Sequence, residues 1–112
     1  PEEALTTAQE AVQIKRRLAA ENPAAHEPNF AASLSVLAST LATTGELFAA
    51  LSATGEAVEL YRRHLGTLTS VLRLHAVLDL QAQLLERVGR QQESETVRRW
   101  LEKNPPPPGL HR

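Results

Sequence analysis

"EAVQIKRR" (residues 10–17) and "EAVELYRR" (residues 56–63) are nearly the same eight residues, and they recur at a spacing of 46 positions in a chain of 112. The match runs wider than the two stretches. Ala4-Leu5 corresponds to Ala50-Leu51, Glu10-Ala11-Val12 to Glu56-Ala57-Val58, and Arg16-Arg17 to Arg62-Arg63. Two glycines, Gly45 and Gly89, repeat at a spacing of 44, which places a two-residue deletion in the loop after Arg63. A period of roughly 20–50 residues built from helix pairs is the mark of an α-solenoid, in which each unit buries its apolar face against the next.

The composition agrees with a helical chain. Ala and Leu dominate the apolar residues, β-branched residues are few, and the aromatics are limited to Phe30, Phe48, Tyr61 and Trp100. Such residues carry little helix penalty. A formal net charge of −1 supplies no field to draw the chain onto nucleic acid or an anionic membrane. No run of 18 apolar residues and no secretory signal pattern is present. The absence of cysteine removes any disulfide framework or thiolate chemistry, and fits a cytoplasmic protein. The chain starts at Pro1 rather than Met, as expected of an excised or processed piece.

Five helices are predicted. The first covers residues 2–21, with Glu2 and Glu3 at the positive end of the macrodipole and Lys15, Arg16 and Arg17 toward the negative end. "ENPAAHEPN" (residues 21–29) is expected to break the helix at both Pro23 and Pro28. The second helix then starts at Pro28 or Asn29, with Asn29 as its cap, and runs to Thr43 along a stripe of Phe30, Leu34, Leu37 and Leu41. Gly45 closes it. The third spans residues 46–64 through Leu47, Leu51, Thr54, Val58, Tyr61 and Leu65, and a close neighbour is the expected reason for Gly55 inside it. Thr67 caps a fourth helix, residues 68–88, whose apolar residues cover too much of its circumference for one packing face. Gly89 ends it. The fifth helix, residues 90–103, is mostly polar, with Val97, Trp100 and Leu101 expected inside. "NPPPPGLHR" follows as a non-helical tail.

The pattern of Leu34, Leu37, Ala38, Leu41, Gly45, Ala50 and Ala57 resembles the tetratricopeptide repeat (TPR). There, large and small residues alternate on a first helix, a glycine makes the turn, and small residues follow on a second helix. Leu78, Ala82, Leu85 and Gly89 repeat part of the pattern, while Thr54 stands where the family usually carries a large aromatic residue, and Ser94 and Arg98 where it carries apolar ones. The long "RRLAAENPAA" connection is similar to an extended subtype common in actinobacterial proteins. The resemblance implies an all-α solenoid of antiparallel helix pairs over residues 1–104. It comprises a half unit (2–21), a full unit (28–65) and a degenerate unit (67–103), with a Pro-rich tail at 105–112. The first helix would then be the second half of a unit, this chain the C-terminal end of a longer array, and its N-terminal edge apolar and bare.

By the same resemblance, first helices line a concave groove. The positions facing it here are Ala32, Ser35, Ser39, Ala42 and Thr43, then Ala76, Asp79, Gln83, Glu86 and Arg87. The basic residues of the carboxylate-clamp subfamily are absent, with Val36 at the place of its Asn, so capture of a chaperone C-terminus is disfavoured.

Other chemistry finds no constellation. His26, His64, His75 and His111 lack metal-ligand spacing. Asp79 and Glu86 lie seven apart on one helix, without a nucleophile or phosphate loop beside them. The basic clusters at residues 15–17, 62–63 and 98–99 are matched by acids across the chain and sit where helix ends favour cations. Glu56 with Arg63, and Glu86-Arg87 with Arg90, read as helix-surface pairs. The proline run, residues 105–108, matches PxxP, but its ordinary meaning is a helix stop and a linker. The sequence therefore predicts a non-enzymatic scaffold without cofactor or metal that binds a protein or peptide. The alternative is a self-association module that dimerises through the N-terminal edge or the fourth helix.

Overall fold

The computed structural model describes residues 2–107 and contains five α-helices: α1 (Glu2–Glu21), α2 (Pro23–Thr43), α3 (Leu47–Arg62), α4 (Leu68–Arg87) and α5 (Gln91–Lys103). Each helix packs on the next in sequence, and α2 also touches α4. The chain is all-α among the described residues.

Both glycine turns have the same geometry. Gly45 and Gly89 have φ of 85° and 84°. At the first turn the Gly45 N–H donates to the Ala42 carbonyl (3.1 Å) and the Glu46 N–H to the Leu41 carbonyl (2.9 Å). At the second, Gly89 donates to Glu86 (3.1 Å) and Arg90 to Leu85 (2.8 Å). These are Schellman closures, which satisfy the orphan carbonyls of a helix end and need a left-handed residue best supplied by glycine. Thr67 caps α4 as expected, its hydroxyl accepting from the Ser70 N–H at 3.3 Å.

The start of α2 differs from expectation. The helix begins at Pro23, runs through Pro28, and contains Asn29 as an exposed interior residue. Asn22 is the cap, its side-chain oxygen accepting from the Ala25 N–H at 3.3 Å, and Pro23 takes the first helical position, where a missing N–H costs nothing. Pro28 withholds one donor from Ala24, which is exposed and open to water. Contacts on either side of Pro28 hold the helix through it. Phe30 is buried, and the Glu27 carboxylate accepts from Arg63 Nη1 (3.0 Å) and His64 Nε2 (2.9 Å). An ionised carboxylate only accepts, so this contact fixes the proton of His64 on Nε2.

The core is built around alanine. Ala31, Ala38, Ala50, Ala57 and Ala82 have no exposed surface, and Phe30, Leu34, Val58, Leu60, Tyr61, Leu74, Val77 and Leu78 fill the space between them. A second cluster joins Leu41, Ala50 and Leu84 near the first glycine turn. The broad apolar surface of α4 is explained by its three neighbours, α2, α3 and α5. On α5 the expected core residues are displaced. Val97 and Leu101 are half-buried, Trp100 is exposed and stacks at a tilt on His75 (centroids 5.6 Å apart), and the buried residue is Ser94. The Ser94 hydroxyl lies 3.0 Å from the Ala82 carbonyl and 3.1 Å from Glu86 Oε2. A small side chain there lets α5 settle close on α4, and its polar atom is satisfied.

Gly55 has no close neighbour: a Cβ built on it meets nothing within 4 Å, and its φ is not left-handed. The expected close approach is absent, and the glycine weakens its helix. Gly55→Ala is expected to raise stability by about 0.5–1 kcal/mol in a urea titration. Ala38→Leu, at a fully buried crossing, is expected to lower it by about 1–3 kcal/mol through overpacking; a neutral result would place Ala38 away from the helix contact.

Candidate functional site

A groove of about 320 Å³ opens between α2 and α4, lined by Ala32, Ser35, Ser39, Tyr61, Arg73, Ala76, Val77 and Leu80. Ala32, Ser35 and Ser39 step along one face of α2 at spacings of three and four, as the helical period requires. Ala76, Val77 and Leu80 form the facing wall on α4, and Tyr61 closes the floor from α3 at 1% exposure. The walls are small, and Arg73 is the one charged residue among those lining the groove.

Of the residues expected in such a groove, the structure brings Ala32, Ser35, Ser39 and Ala76 together. It places the others elsewhere. Half-buried Ala42 and exposed Thr43 lie at the C-terminal end of α2, where the Thr43 hydroxyl donates to the Ser39 carbonyl at 3.0 Å. Asp79, Gln83 and Glu86 belong to a network with α5. Arg98 donates to Glu86 Oε2 (3.0 Å) and Asp79 Oδ1 (3.3 Å), and Gln83 donates to Asp79 Oδ2 (2.9 Å). The Arg98 hydrogen bond, then that of Ser94, holds the Glu86 carboxyl below its ordinary value. Arg87 is exposed at the end of α4. Tyr61, Arg73, Val77 and Leu80 were not among the expected residues. Extending the α4 stripe back from Ala76 by one turn reaches Arg73, but nothing in the pattern of first helices points to Tyr61 on α3.

The surface pairs also differ from the expected ones. Glu56 binds Arg16 of α1 through two bonds (2.6 and 3.0 Å) rather than Arg63, and Arg16 also lies over the Phe30 ring at 4.8 Å. Arg90 pairs with Glu93, and Glu86 with Arg98. Arg16 and Arg98 reach their carboxylates from another helix, because the packing brings an opposite charge nearer than one helix does, whereas Arg90 and Glu93 are a local pair three residues apart at the start of α5.

Among the described residues, no group of three or more His, Asp or Glu side chains is placed to hold a metal ion, and no helix is long and apolar enough to cross a membrane. Each ring nitrogen of His75 lies near a carbonyl, Nδ1 at 2.8 Å from Val71 and Nε2 at 2.6 Å from Asn104. His111 and the end of the proline run lie outside the described residues. Compared with family models, with curated proteins and with solved structures, the chain matches none.

Burial pushes the Tyr61 phenol above its ordinary value of 10.0, against the opposing influence of Ser35 and Arg73 beside it. A raised folded value means that the neutral phenol contributes stability below the unfolded value, and that this is lost as pH rises through the folded one. Tyr61 is the single tyrosine, so ultraviolet absorbance titrates it alone. Its midpoint is expected to be higher in the folded chain than in urea, and Tyr61→Phe should remove that part of the alkaline loss of stability. Equal midpoints would mean that the hydroxyl is solvated in the fold.

Proposed function

We propose that this chain is a TPR-like α-solenoid scaffold that holds another protein or a peptide in the groove between α2 and α4, without catalysis or cofactor, as part of a larger cytoplasmic regulatory protein. The observation that carries this is the groove lining. Ala32, Ser35, Ser39 and Ala76 leave room for an incoming backbone, and Ser35, Ser39 and Arg73 supply polar atoms at its edge. Extended and helical peptides both gain affinity from such close approach, with side-chain pockets setting selectivity. The order of helix contacts supports a repeat architecture. Each helix meets its successor and the two glycine-closed helices, α2 and α4, meet each other, as units stacked in one direction would.

Self-association is the second reading, favoured by exposed Ile14 and Val36 at the α1–α2 edge. The apolar residues of α4 are less available for it, because Leu74, Val77, Leu78, Leu84 and Leu85 are already buried within the chain.

Peptides selected from a displayed library against the 112-residue chain are expected to lose binding on Ser39→Arg, while the thermal midpoint stays unchanged because Ser39 is exposed. Unaltered capture by the variant would sink the groove assignment. Light scattering across a concentration series that showed dimers, with no selected peptides, would favour self-association.

A further inference from the structure

α1 and α3 are tied together by the two bonds from Arg16 to Glu56. α3 and α5 are not tied in this way. Each packs on α4, and no close approach of backbones joins them. The 46-position spacing carries Arg16 onto Arg62, and the 44-position spacing carries Glu56 onto Trp100, so an indole stands in register with the carboxylate. Arg62 takes no ion pair among the described residues, and neither does Glu59, three residues before it. Between the two helices a pocket of about 310 Å³ is left open, at the lower end of the range for small-molecule sites.

Gly55 is a separate observation at the same place. It lies inside α3 and lines this pocket. A Cβ built on it meets nothing within 4 Å, and its φ is not left-handed, so neither packing nor backbone geometry requires a glycine. The residue weakens its helix, and what it provides is room in the pocket. Stability is commonly given up in this way where a site must stay open.

We infer that the α3–α5 pocket binds a small aromatic zwitterion of the free amino-acid class. Charge sets the class. Glu59 and Arg62 are the charged residues lining the pocket, and they are neighbours on one helix. Side by side they offer an acceptor for an ammonium group and a donor fork for a carboxylate. A ligand of one charge would be attracted by one of them and repelled by the other. The rest of the lining sets the side chain. Val58 and Leu78 are buried and Val97 half-buried, which makes an apolar wall. Trp100 rests at a tilt on His75 and is still 36% exposed, so indole surface is left for a ring to stack on. The missing side chain at Gly55 gives that ring its depth.

Trp100 is the single tryptophan, so its fluorescence reports on the pocket directly, and phenylalanine is transparent where tryptophan is excited. Free L-phenylalanine titrated into the 112-residue chain is expected to give a saturable change in that emission. Phenylpropanoate, which lacks the ammonium group, and phenethylamine, which lacks the carboxylate, should each bind roughly fivefold more weakly. Arg62→Gln and Glu59→Gln should each weaken phenylalanine binding roughly three- to fivefold, and both positions are exposed, so the fold is kept. Gly55→Leu fills the pocket and should abolish the change without lowering the melting temperature. Ser39→Arg, in the α2–α4 groove, should leave it unaltered. No saturable change, or one that Gly55→Leu leaves intact, overturns the inference. So does equal binding of phenylpropanoate or phenethylamine, which would remove the need for one of the two charges. Equal binding of acetyl-phenylalanine amide also overturns it, because the occupant is then an aromatic residue within a peptide.

Discussion

Everything in this molecule depends on how near its helices can come to one another. Ala31, Ala38, Ala50, Ala57 and Ala82 have no exposed surface, each enclosed by the packed helices. A methyl group at the contact keeps the backbones close enough for Leu34, Leu74, Val77 and Leu78 to reach across and fill the core. Ser94 applies the same solution to the last contact, with a hydroxyl that finds the Ala82 carbonyl in place of a methyl group. Small residues at contacts also decide the shape of the outer surface. Where an alanine face is covered the result is core, and where it is left uncovered the result is a groove.

The charged side chains then fasten helices that the apolar contacts have already placed. Glu27 joins α2 to the end of α3 through Arg63 and His64, Arg98 joins α5 to α4 through Glu86 and Asp79, and Arg16 joins α1 to α3 through Glu56. The Arg16 and Arg98 pairs are exposed and screened by water, so they select the register of neighbours more than they hold the fold, while the Glu27–His64 contact is more enclosed.

Much of this was legible in the sequence, for definite reasons. The glycine turns were, because a left-handed residue closing a helix almost demands Gly, and Gly45 and Gly89 both supply it. The cap at Thr67 and the number of helices followed from local rules of the same kind. The start of α2 was not. A proline within the first two turns is tolerated or not according to distant contacts, here those of Glu27 and Phe30. The groove was partly legible. The α2 face of Ala32, Ser35 and Ser39 was expected from the resemblance to a repeat family, and the helical period keeps the three on one side. The second face was not, since Asp79 and Glu86 are committed to an arginine on another helix, Gln83 is bonded to Asp79, and Tyr61 enters from a third helix. Side-chain partnership across helices is a property of packing, and no local pattern records it.

The bond between Arg16 and Glu56 joins the two copies of the motif on which the repeat was first noticed. The basic end of the first copy holds the acidic start of the second. Such a bond has direction. It relates two different positions of the repeated stretch, so no twofold axis can pass through it. The same two positions are found again at Glu10 and Arg62, neither of which takes part in an ion pair among the described residues. Copies of the chain that met through one such bond would add head to tail, into a ring or a filament according to whether the rotation closes, whereas a twofold pair would make the bond twice, once in each direction, on either side of its axis.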